Sequence, residues 1–135
     1  MDVNEVKKID NHLMNLLGIE IVDLSKDKVV MSMPVDDRTK QPYGYLHGGA
    51  SVLLAETVAS IGATLHVDVN EKDVFGIEIN ANHVRSKRDG KVYATGTPLH
   101  VGRTTMVWNI EVRDEQDKLV CISRCTIGVV ERKRR

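Results

Sequence analysis

The run GASVLLAETVASIGATL, residues 49 to 65, limits what this chain can become more than any other stretch. It contains no proline, is rich in Ala and Leu, and suits a helix of about four turns. Apolar residues fall on every side of such a helix, so the rest of the fold has to wrap it. One carboxylate, Glu56, interrupts the run. Its helical neighbours Val52, Leu53, Ala59 and Ser60 carry no positive charge, so no local ion pair explains it. A buried charge is costly unless compensated, and a desolvated carboxylate holds its proton more firmly, which suits a base working near neutral pH. The plainer alternative is a side chain that reaches an exposed strip or an arginine elsewhere in the fold.

The remaining segments supply the wrapping. Val3, Val6, Ile9, Leu13, Leu16 and Leu17 form one stripe of an amphipathic lid helix over 3 to 17, with Gly18 as its stop. IEIVDLS (19 to 25) and KVVMSMPV (28 to 35) read as a hairpin, and residues 36 to 40 as a polar loop. After Asn70 the period changes. Four strand-like runs follow at 74 to 86, 91 to 101, 104 to 114 and 118 to 131, joined by RDG, GR and EQD turns. Short connections favour an antiparallel sheet, and a sheet covering an all-apolar helix curls around it. The expectation is an α+β hotdog fold, a curved antiparallel sheet around a long central helix, as one domain over residues 1 to 135. A chain of 135 residues can bury about two thirds of its unfolded surface in a single core.

Charge and cysteine content narrow the partners. Lys plus Arg and Asp plus Glu each number 19, so no global field draws the chain to nucleic acid or to a membrane. The basic ERKRR end (131 to 135) is read as a solvated, partly disordered tail, with a docking signal as the alternative. Cys121 and Cys125 lie on one face of a strand, about 13 Å apart, too far to bridge. With no signal peptide and no run of spanning length, the chain is expected to be cytoplasmic with reduced thiols. His47, His66, His83 and His100 are scattered, and no metal site is expected.

The polar residues around the helix suggest a site. Gly48 and Gly49 open it, where free amides and the positive dipole end can polarise a carbonyl or hold an oxyanion; an ordinary helix entry is the competing explanation. Gly48 and Glu56 are eight residues apart, about 12 Å of helix, so they cannot grip one carbonyl from the same chain. If both act on one group, two copies must share the site across a two-fold axis. His47 and Gln41 precede the helix and would join the second copy's Glu56, while Thr57 and Ser60 place hydroxyls beside the carboxylate. In INANHVRS (79 to 86), alternation sends Asn80, Asn82 and Val84 one way and His83 and Arg85 the other. Arg85 fits a phosphate, the turn at Gly102 and Arg103 adds donors, and Gly76 permits close approach of a narrow chain; a solvated outer face is the competing explanation for both arginines.

QPYGYLHGGASVLLAE (41 to 56), INANHVRS and PLHVGR (98 to 103) together resemble the hotdog acyl-CoA thioesterases of the PaaI type. The likeness is greatest to the branch acting on aromatic acyl-CoA thioesters such as 1,4-dihydroxy-2-naphthoyl-CoA and 4-hydroxybenzoyl-CoA. The resemblance implies Glu56 as nucleophile or general base, with His47, Gly48 and Gln41 around the thioester carbonyl and water, and Thr57 and Ser60 at the substrate. It implies coenzyme A against Gly76, His83, Val84, Arg85, Ser86, His100, Val101, Gly102, Arg103, Thr104 and Thr105. Related enzymes commonly carry serine where Thr57 stands and a small polar residue where Arg103 stands. No cofactor is implied beyond the coenzyme A of the substrate, and the assembly implied is a homodimer or homotetramer. A hotdog hydratase or dehydratase and a noncatalytic acyl-CoA binding module are the alternatives.

Overall fold

The computed structural model describes residues 1 to 133; of the basic tail, Arg134 and Arg135 lie outside the described residues. The elements run α1 (Val3–Lys7), α2 (His12–Leu17), β1 (Glu20–Leu24), β2 (Val29–Pro34), α3 (Gly48–Thr64), β3 (Lys72–His83), β4 (Lys91–Val101), β5 (Thr105–Asp114) and β6 (Leu119–Glu131). All six strands form one antiparallel sheet in the order β1-β2-β4-β5-β6-β3. The sheet curls around α3, which is the hotdog fold.

Alternation along the inner strands builds the core. Met31 and Met33 from β2, Val92 and Ala94 from β4, Trp108, Ile110 and Val112 from β5, and Cys121, Cys125 and Ile127 from β6 are all buried. Leu54, Ala55, Val58, Ala59 and Ala63 answer them from α3. The fit is tight where glycine allows it. A Cβ on Gly62 would stand 2.4 Å from Trp108, and one on Gly96 would stand 2.4 Å from Val58. Both cysteines are free, as expected from their spacing.

Three expectations need correction. The helix expected over 3 to 17 is two short helices, because the Asn11 side chain accepts from Met14 N–H at 3.2 Å and starts a new cap in the middle of the run. Val6 is buried and Val3 and Leu17 pack on the core, but Ile9, Leu13 and Leu16 face solvent. The central helix is apolar all round yet is buried on one face only, at Ser51, Leu54, Ala55, Val58, Ala59, Gly62 and Ala63; the sheet of one chain covers that side and leaves the other half-exposed.

The RDG segment is not a hairpin turn. β3 lies at the sheet edge and β4 beside β2, so residues 84 to 90 cross the end of the sheet past β6 and β5. This crossover places Val84, Arg85 and Ser86 outside the strand, close to the start of α3. At the other end, the tail expected to be solvated is tied down at its start: Glu131 ends β6, and Arg132 donates from its backbone to Glu71 C=O and from its guanidinium to Val69 C=O.

Candidate active site

The start of α3 leaves one amide unused. His47 is the N-cap, and its Nδ1 accepts from Gly49 N–H at 2.8 Å. Ala50 and Ser51 donate to the His47 carbonyl. Among the described residues, the Gly48 N–H has no acceptor within the chain, so it points a free donor out of the positive end of a 17-residue helix. A His47 ring that accepts at Nδ1 carries its neutral-state proton on Nε2, which becomes a second donor at the same place. The ring therefore acts on the helix start as an acceptor.

Gln41 shapes the loop before the helix. Its backbone N–H donates to Tyr45 C=O at 2.8 Å and its carbonyl accepts from Gly44, which turns at φ +91°. Its side-chain oxygen accepts from Tyr43 N–H. The acceptor half of the amide is thus engaged inside the turn, and the NH₂ group is what Gln41 offers a substrate or water.

Glu56 sits two turns further along, half-buried on the uncovered face of α3. Its carboxylate lies against Gly76 of β3, where a Cβ would stand 2.8 Å from Oε2. The bare backbone at Gly76 therefore makes room for Glu56 itself. β3 carries a bulge between Gly76 and Glu78 at this point. Thr57 donates its hydroxyl to Leu53 C=O at 2.7 Å, a bond within the helix. Behind the carboxylate, burial first and then the charges of Glu56 and Glu78 push the Cys125 thiol up to about 11, so it remains a thiol at neutral pH.

The remaining residues divide into two groups. His83 packs against Gly48, with Nε2 2.9 Å from where a glycine Cβ would stand. His83, Val84, Arg85 and Ser86 join Gln41, Tyr45, Leu46, Gly48, Ser51 and Val120 around a cleft of about 490 Å³. His100 to Thr105 form the β4–β5 turn at the opposite end of the sheet: Thr105 pairs with Gly128, which pairs with Phe75 beside Gly76. There His100 folds over Gly102, and Gly102 N–H donates to Thr105 C=O at 2.8 Å. A single chain therefore does not bring His100–Thr105 together with His83–Ser86. The first group surrounds the free Gly48 amide and the second lies with Glu56.

Sequence reasoning missed Tyr45 and Ser51 as cleft-lining residues. Ser51 stands three residues after Gly48 on the same helical face, and that spacing was the available signal. Among the described residues, no group of three His, Cys, Asp or Glu could hold a metal ion, and no helix is long and apolar enough to cross a membrane.

Residues 43–121 match the model of the Thioesterase superfamily. The chain belongs to that superfamily. It is 51% identical over 122 residues to the 1,4-dihydroxy-2-naphthoyl-CoA hydrolase of Listeria monocytogenes, covering 90% of this chain and 98% of that one. The crystal structure of a Haemophilus influenzae thioesterase superposes with a TM-score of 0.89 at 44% identity, covering 97% of this chain and 92% of the other. This thioesterase is also similar to a Staphylococcus aureus protein solved as two variants, with TM-scores of 0.88 and 0.86 at 40% and 39% identity. The first covers 90% of this chain and 100% of the other, the second 88% and 98%. One variant replaces a glutamate and the other a glutamine fifteen positions before it, the same separation as Gln41 and Glu56 here. The chain is a thioester hydrolase.

Proposed function

We propose that the chain hydrolyses aromatic acyl-CoA thioesters at sites that are each built from two copies of the chain. The observation that carries this reading is the separation of two complementary groups on one helix. The unengaged Gly48 amide and the Glu56 carboxylate stand about 12 Å apart along α3, too far to act on one carbonyl from a single chain. The uncovered face of α3 lies beside an open sheet edge, β3, where Phe75 is 58% exposed and Ile77 is 62% exposed. Antiparallel pairing of two β3 edges about a two-fold axis covers those side chains and sets each helix start against the other copy's Glu56. The same operation brings His83–Ser86 of one copy towards His100–Thr105 of the other, giving coenzyme A one continuous surface.

Chemistry follows from the donors. Gly48 N–H takes up the negative charge that develops on the thioester oxygen, with His47 Nε2–H and the Gln41 NH₂ as further donors. Glu56 either attacks the carbonyl carbon, expelling the CoA thiolate and leaving a mixed anhydride that water opens, or removes a proton from the water that attacks directly. In labelled water, a single turnover that places label on Glu56 identifies the anhydride route. Thr57 and Ser60 flank the acyl end. Coenzyme A enters as part of the substrate, and no other cofactor is required. A PaaI-type pairing of dimers into a tetramer and a cytoplasmic location complete the reading.

The aromatic preference is supported by the likeness to a 1,4-dihydroxy-2-naphthoyl-CoA hydrolase. A thiol-release screen of aromatic and aliphatic acyl-CoAs tests it: faster turnover of aromatic thioesters is expected, and cleavage of long aliphatic chains alone rejects it.

A further inference from the structure

The crossover from β3 to β4 is tied to the start of β6 only at its first two residues, where Val84 and Arg85 N–H donate to Val120 C=O at 2.9 and 3.3 Å. It has no strand ladder beyond them, yet it forms one wall of the cleft. Val84, Arg85 and Ser86 lie on this wall, facing Gln41, Tyr45 and Leu46 of the loop before α3. The two walls meet at Lys87, whose carbonyl accepts from Leu46 N–H at 2.7 Å. One residue on, the Arg88 guanidinium lies 4.7 Å above the centre of the Tyr45 ring.

Lys87 itself is anchored from behind. Its side chain is only 16% exposed, and Nζ lies 2.7 Å from Glu115 in the β5–β6 hairpin that the crossover passes. The same carboxylate accepts from Lys91 N–H at 3.1 Å, where β4 begins. Gly90 is kept bare by this contact, because a Cβ there would stand 1.9 Å from Glu115 Oε2 and because φ is +75°. Asp89 is a second, looser partner at 3.9 Å. Exposed ion pairs contribute little, but this carboxylate also accepts a backbone bond and holds a lysine that is mostly out of water.

We infer that Lys87 and Glu115, neither of which lines the cleft, are positioning residues for substrate recognition: their ion pair bolts the crossover to the β5–β6 hairpin and so fixes the wall bearing Arg85 and Ser86. This rests on the reading that the cleft receives the coenzyme A end of the substrate. Neither residue lines the cleft or reaches the Gly48 amide or Glu56, so the pair acts mainly on binding, through the placement of Arg85 and Ser86.

Steady-state kinetics of Glu115→Gln, Lys87→Met and their double variant, with Arg85→Ala as the reference for the cleft, test this. Glu115→Gln is expected to raise KM for an acyl-CoA about five-fold and to leave kcat within about two-fold. The double variant should be no worse than the weaker single, because each change removes the same contact. The charge-swapped pair, Lys87→Glu with Glu115→Lys, should recover part of the lost KM, which a merely structural loss would not. If Arg85→Ala raises KM while Glu115→Gln leaves it unchanged, or lowers only kcat, the bolt is rejected and the cleft stands. If Arg85→Ala leaves KM unchanged as well, coenzyme A does not use the cleft, and both readings fall.

Discussion

The Glu56 carboxylate lies on Gly76, close enough that a Cβ there would stand 2.8 Å from Oε2. A strand residue without a side chain thus sets the height at which the helix holds its one charged group. The contact is with the far end of a flexible side chain, which can move at little cost, so the backbone and core need not adjust.

Gly76→Ala is therefore expected to separate stability from activity. The melting temperature should change by no more than about 2 °C, while kcat falls at least about ten-fold because the carboxylate is pushed off its position. Thermal unfolding and steady-state kinetics on the same preparation check this. Wild-type kcat in the Gly76→Ala variant would show that the placement of Glu56 does not matter to turnover.

Gly62→Ala should behave in the opposite way. Alanine in a helix interior is worth about 1 kcal/mol over glycine, which alone would raise stability. Here the new methyl meets the Trp108 ring at 2.4 Å, and Trp108 is fully buried and unable to swing aside. Overpacking of a rigid core costs about 1–3 kcal/mol, so the clash wins and the melting temperature falls. A rise in urea midpoint for this variant would contradict the packing described.

The fold was legible where period and length agree. The 49 to 65 run announced the central helix, and the β4, β5 and β6 alternation announced its cover. The lone Glu56 and the HGG entry were legible as a site because neither fits a plain core helix. Hydrophobicity could not say that α3 is covered on one face only, since an apolar run reports that a surface needs cover and not which chain supplies it. The crossover was also hidden. Residues 84 to 90 are short enough to pass for a hairpin, and only the strand order reveals that they travel past β6 and β5. Consequently Lys87 and Glu115 gave no signal, because their pairing depends on that order.

The Lys87–Glu115 pair carries a pH signature. The Lys87 ammonium, followed by backbone N–H groups, holds the Glu115 carboxyl down to about 2 from its ordinary 4.5. A carboxyl lowered by folding stabilises the native state fully above its unfolded value and loses that contribution as pH falls through its folded value. The difference in urea midpoint between wild type and Glu115→Gln should be constant above about pH 5, shrink below it and vanish near pH 2. A difference that persists unchanged at pH 2 would remove the ion pair as its cause.

Sharing of the site between copies predicts complementation. Glu56→Ala damages the carboxylate group of residues and Gln41→Ala the amide group, and each variant alone should be nearly inactive. In a two-fold dimer that shares its sites, a mixed dimer places both substitutions in one site and leaves the other wholly native. Random pairing from an equal mixture makes half the dimers mixed, each with one working site of two, so activity should recover to about a quarter of wild type. Coexpression with two different tags, followed by sequential purification, isolates the mixed dimer and should raise its activity to about half. Under a site confined to one chain, every chain in the mixture stays defective and no recovery occurs. Mixed dimers as inactive as their parents would therefore return Glu56 and Gly48 to separate roles, and the 12 Å helical spacing would have to be explained without a second copy.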